Sequence, residues 1–150
     1  MYEPTVITWI LIVFGLITCA PLLYAQGTML VKPHDEKTKT LMIGKSQEWR
    51  DKSHFKSQYA LARSDWLIFV PFLSIGIIGI ALARSWGYVL FGIAGAISLY
   101  INVFLWFFEK EYVYPSQSPL VYYTYWWGNF IYWGTASVIY AVIRLSGYVI

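Results

Sequence analysis

The residues in this sequence best suited to moving protons are two carboxyls set near tryptophan: Asp65 directly before Trp66, and Glu109 three residues after Trp106. A carboxyl partly removed from water beside an aromatic ring is a common general acid or base. Both also have plainer readings. Asp65 lies where a helix can begin, and a carboxylate is favoured at a helix N-terminus. Arg63 and Lys110 are close enough in sequence to pair with the acids.

A second set of residues could hold a ligand. Asn102, Trp106 and Glu109 share a stripe with Gly95 and Ser98 at 100° per residue, and Trp126, Asn129 and Trp133 share another with Tyr122 and Tyr140. Helices joined by a short connection pack antiparallel, so the two stripes are expected to face each other. At 1.5 Å per residue Asn102 lies about 10 Å below Glu109, and Asn129 about 13 Å below Leu120. Ser74, Thr18 and Cys19 fall at a similar depth. Two outcomes follow. The asparagines hydrogen-bond across helices while Gly79/Ala83 and Gly92/Ala96 allow close approach. Alternatively, Asn102, Trp106, Trp126, Asn129 and Trp133 line a pocket for an amphipathic small molecule.

Metal and cofactor chemistry have little support. His34-Asp35-Glu36 and the Glu48, Asp51, His54 spacing match no established zinc motif and read as solvated charged faces. The chain has one cysteine, no Walker loop and no GxGxxG, so no metal or cofactor is expected.

The elements that position these residues are apolar helices. Charged residues are 13 % of the chain, about half the share in a soluble domain. Aromatics reach 20 %, rich in the Trp and Tyr that favour membrane interfaces. These features predict a single all-α domain, a four-helix transmembrane bundle with spans at about 5–25, 66–83, 86–108 and 120–143. The tight reversal between the second and third spans falls in ALARSWG.

Residues 26–58 form the one long hydrophilic segment. Its first part, His34 to Thr40, reads as loop, with a turn at Ile43-Gly44. From about Ser46 it reads as an interfacial helix, with Glu48 and Lys52 as an i,i+4 pair and Phe55, Tyr59, Ala62 and Trp66 on one face.

Of the 11 Lys and Arg, only Arg84 and Arg144 fall on one side of this layout. The asymmetry predicts that the long loop is cytoplasmic and both termini are outside, in a plasma or inner membrane. It also makes nucleic acid an unsuitable partner, because the basic residues mark topology. Loop lysines near the surface can in addition attract anionic headgroups, at about 1 kcal/mol each.

With an acid and a proline near the start of the second of four spans, Asp65 and Pro71, the chain resembles the EXPERA family of sterol isomerases and sigma-2-type binding proteins. The similarity covers those two residues and the span count, and no site residue is carried over from it. The residues themselves point to a non-catalytic accessory subunit or a binder of a hydrophobic or amphipathic ligand. The alternative is a lipid- or isoprenoid-modifying enzyme using Asp65 or Glu109. Expected partners are the bilayer, a lipid or hydrophobic small molecule, and a membrane protein or a second copy of the chain.

Overall fold

The computed structural model describes residues 2–45, 47–113 and 126–150. Every regular element among them is helical. Helix α1 (Val6–Val31) begins at Thr5, whose hydroxyl caps Thr8 N–H while Thr8 caps Thr5 in return. It continues through Pro21 for 26 residues, so Gln26, expected in the loop, is inside the helix and buried. Helix α2 (Glu36–Ile43) replaces the loop expected at His34 to Thr40. It ends at Gly44, where φ of 98° requires a residue without a side chain.

Helix α3 (Lys52–Ala81) merges the expected interfacial helix with the second span. Its start is later than Ser46, a residue outside the described ones, and is set by Asp51, whose carboxylate accepts from Ser53 and His54 N–H at 2.7 and 2.9 Å. Glu48 precedes the helix and pairs with Lys39 at 2.7 Å instead of with Lys52. Within α3 one turn, Asp65–Phe69, is π-helical: Val70 N–H bonds Asp65 O, five residues back. Pro71 follows directly. A proline cannot donate in the ladder and crowds the preceding turn, and the widened turn relieves that misfit.

A reversal at Leu82 to Arg84, with Ala83 at φ 55°, leads into α4 (Ser85–Val113). The expected acidic turn after Phe108 is a second π-helical turn, Glu109–Val113, that prolongs this helix. Helix α5 (Gly128–Leu145) completes the fold. The start of the expected fourth span, with Leu120, Tyr122, Pro115 and Pro119, lies outside the described residues. Three helices, α1, α3 and α4, are long and apolar enough to cross a membrane.

Helix α4 is central and packs on both α3 and α5, while α1 leans on α3 and α5. Close approach comes from missing side chains. A Cβ on Gly76 would sit 2.8 Å from Phe91 N, and one on Gly134 would sit 2.6 Å from Gly95 O. Trp133 of α5 fills the middle. Its ring meets Phe69 and Phe91 edge-on, at centroid distances of 6.3 and 5.7 Å. Its indole N–H donates to Leu11 O at 2.9 Å over Gly15, which leaves no room for a Cβ there.

Candidate functional site

Many of the buried polar side chains gather at the two ends of the helix packing, with Ser137 between them against Gly95. At one end Tyr140 OH hydrogen-bonds Thr5 and Thr8 hydroxyls at 2.8 and 2.6 Å, with Tyr88 OH 3.5 Å from Thr8. Arg144, buried beside them, donates to Glu3 O at 2.6 Å and lies 5.1 Å over the Tyr88 ring. These bonds bring the start of α1, the start of α4 and the end of α5 together. At the other end are Gln26, Asp65, Ser98, Asn102, Glu109 and Trp127. Thr8 and Gln26, one at each end, are separated along α1 by about 27 Å.

The two expected carboxyls both lie at the second end, and each opens a π-helical turn. Asp65, 8 % exposed, accepts from Gln26 Nε2 at 2.6 Å. Glu109, 7 % exposed, accepts from Trp127 Nε1 at 3.0 Å. Arg63, the cation near Asp65 in sequence, is engaged elsewhere. It lies over the Tyr59 ring at 4.3 Å and donates to its hydroxyl at 2.9 Å.

Asn102 is buried, as the stripe on α4 required, but its partners are not on α5. Its amide N–H donates to Ser98 O at 2.8 Å, and Ser98 Oγ donates to Phe130 O at 3.2 Å. Asn129 is exposed. The buried face of α5 is centred on Phe130, Ser137 and Arg144, and Asn129 is one residue, about 100°, away from Phe130. The expected facing of Asn102 and Asn129 therefore does not form. Trp126 is also exposed, Trp106 is half-buried and Trp133 is fully buried in the aromatic core. Ser74 is exposed too, its hydroxyl donating to Val70 O at 2.6 Å.

A small cavity of about 20 Å³ remains between Asp65, Asn102, Ser98 and Cys19, closed by Phe69 and Phe130. That volume holds about one water molecule. Asn102 Oδ1 has no hydrogen-bond partner there, which suits a water that can donate to it. A lipid-sized ligand does not fit in this space.

The larger concavity lies elsewhere. A groove of about 680 Å³ runs between the second half of α1, the start of α2 and Trp66 of α3. Leu23, Tyr24 and Val31 form its apolar wall, and Lys32, Lys37 and Thr38 line its polar end. Sequence periodicity does not reveal it, because its α2 wall falls in the segment that reads as loop. The one available signal was the switch from apolar residues to lysine at Val31-Lys32.

Beyond the groove the hydrophilic segment docks on the end of α4. Tyr112 OH donates to Asp51, and Arg50 lies 4.9 Å over the Tyr112 ring and donates to Val113 O at 3.3 Å. His54, proposed with Glu48 and Asp51 as a charged face, is buried. Its ring packs against Trp49 and Phe108, and its Nδ1 accepts from Arg50 N–H at 3.3 Å. The Tyr112 hydroxyl and the His54 N–H hold the Asp51 carboxyl below the usual carboxylate range.

No family model, curated protein or solved structure matches this chain.

Proposed function

We propose that this chain is a multi-pass integral membrane protein that binds an amphipathic molecule at the membrane edge without transforming it. In this reading α5 is a fourth span beside α1, α3 and α4. The distribution of residues on α3 supports insertion. Trp66, Leu67 and Ile68 point outward, while Asp65 at the start of the same turn is buried. Such an inversion is favoured where the surroundings are hydrocarbon and polar groups must find partners inside. The buried Thr8 and Gln26 lie about 27 Å apart along α1, against a hydrocarbon core of about 30 Å.

The Lys/Arg asymmetry then assigns the α2 end to the cytoplasm of a plasma or inner membrane, with both termini opposite. An impermeant thiol reagent applied to intact cells tests this on a Cys19→Ala background. A Lys45→Cys variant is expected to stay unlabelled until the cells are opened. Labelling from outside would reverse the topology.

The observation that carries ligand binding is the groove, apolar along α1 and cationic at the α2 end. An amphiphile has the same polarity along its length. The protein is expected to retain such a molecule from a membrane lipid extract, and Ala20→Trp, which fills the apolar half, is expected to abolish retention. Retention unchanged by Ala20→Trp removes the groove as the site. The outward apolar faces of α1 and α3 also suit a membrane-protein partner or a second copy, as an accessory subunit would need.

A second reading has one specific observation in its favour. Both buried carboxyls stand at the first residue of a π-helical turn, a geometry frequent at functional sites. A lipid-modifying enzyme built on them would lose turnover in Asp65→Asn or Glu109→Gln while still binding ligand, whereas a binding protein loses neither.

A further inference from the structure

We infer that the groove between α1, α2 and Trp66 selects an anionic phospholipid, its headgroup held by Lys32, Lys37 and Thr38. This rests on the reading of the groove as an amphiphile site and adds the charge of the ligand.

Three observations at the polar end point the same way. Lys39 of α2 is neutralised by Glu36 at 3.0 Å and Glu48 at 2.7 Å, but Lys32 and Lys37 make no ion pair among the described residues. Thr38, whose hydroxyl can donate to a phosphate oxygen, is 1 % exposed and lines the same groove. Finally, Asp35 precedes α2 without capping it, so the first N–H groups of that helix have no side-chain acceptor. Their partial positive charge adds to that of the lysines.

Asp35 is the acid on this rim, and it opposes an anion. Two lysines and the helix end outweigh one exposed carboxylate. A zwitterionic headgroup would bring its own cation to Lys32 and Lys37, whereas an anionic one does not. The apolar half of the groove follows α1 for about 16 Å from Ala20 to Val31, so chain and headgroup can be held together. Depth agrees with this. The lysines begin where α1 passes from apolar to charged residues, which is where a phosphate lies in a bilayer.

The test uses the full chain, delipidated in mild detergent and titrated with fluorescent phosphatidylglycerol or phosphatidylcholine of identical chains. Phosphatidylglycerol is expected to bind more tightly by about 5-fold for each lysine. Lys32→Gln/Lys37→Gln is expected to bring it to the level of phosphatidylcholine, whose own binding stays unchanged. Thr38→Val is expected to give a smaller loss in the same direction. Inorganic phosphate is expected to compete poorly, and efficient competition would overturn a lipid source for the anion. Equal binding of the two lipids by the unaltered protein would overturn the charge preference and leave the groove reading standing. Binding of neither lipid would remove both. Lys52→Gln/Lys56→Gln controls for diffuse attraction, and an equal loss in that variant would also overturn the inference. Circular dichroism checks that each variant is folded.

Discussion

Gln26 on α1 donates its side-chain amide to the carboxyl of Asp65 on α3 at 2.6 Å, at the residue where α3 widens into its π-helical turn. The pair joins two helices through polar groups that are both buried. It also faces the one-water cavity through Asp65. Its energetic character follows from what is lost when one partner goes.

Gln26→Leu leaves the Asp65 carboxyl buried without its donor, and stability is expected to fall by about 1–3 kcal/mol. Adding Asp65→Leu is expected to restore much of that loss, because two apolar groups of similar shape leave nothing unsatisfied. Thermal unfolding in detergent for the two single variants and the double variant measures the coupling. Additive losses would mean that the two residues act independently.

Asn102 and Asn129 are expected to behave as strangers. Asn102→Ala removes the bond to Ser98 O and is expected to cost roughly 0.6–2 kcal/mol. Asn129→Ala, at an exposed position, is expected to cost within about 0.5 kcal/mol. The double variant is expected to be additive in the same unfolding measurement. A coupling larger than about 0.5 kcal/mol would contradict the burial pattern of α5.

Gly15 is expected to be intolerant because its missing side chain is the space occupied by the Trp133 indole. Gly15→Val should cost about 1–3 kcal/mol through overpacking. Combining it with Trp133→Leu should recover part of that loss by reopening the space. If Gly15→Val unfolds at the temperature of the unaltered protein, α1 and α5 do not meet there.

The docking of Asp51 on Tyr112 predicts an acid-sensitive contact. Because the Asp51 carboxyl is held below its ordinary value, its contribution is fully present above the unfolded value of about 3.9. It is lost as pH falls through the lower folded value. Limited proteolysis at Arg50, followed from pH 7 downward, is expected to accelerate only in that acidic range. Asp51→Asn and Tyr112→Phe are expected to cleave faster at pH 7 with little further change on acidification. A rate for the unaltered protein that rises steadily from pH 7 would assign the opening to another group.

The local sequence by itself determined the three long apolar helices and the reversal between the second and third of them. Apolar runs long enough to cross a bilayer, the reversal around Ala83 and the lysine-rich end were legible because each is a change in local composition. Which face of each helix points inward was decided only by the tertiary structure. In a helix apolar all round, hydrophobicity carries almost no information about rotation, so Asn129 and Trp126 could be placed inside and turn out exposed. The π-helical turns add to this, because each widens the helix and shifts every later residue relative to a 100° count. Helix α2 and the groove it closes were hidden for another reason. Its eight residues have a weak helix signal of their own and are held by packing on α1 with Thr38 buried, a contact that no local pattern encodes.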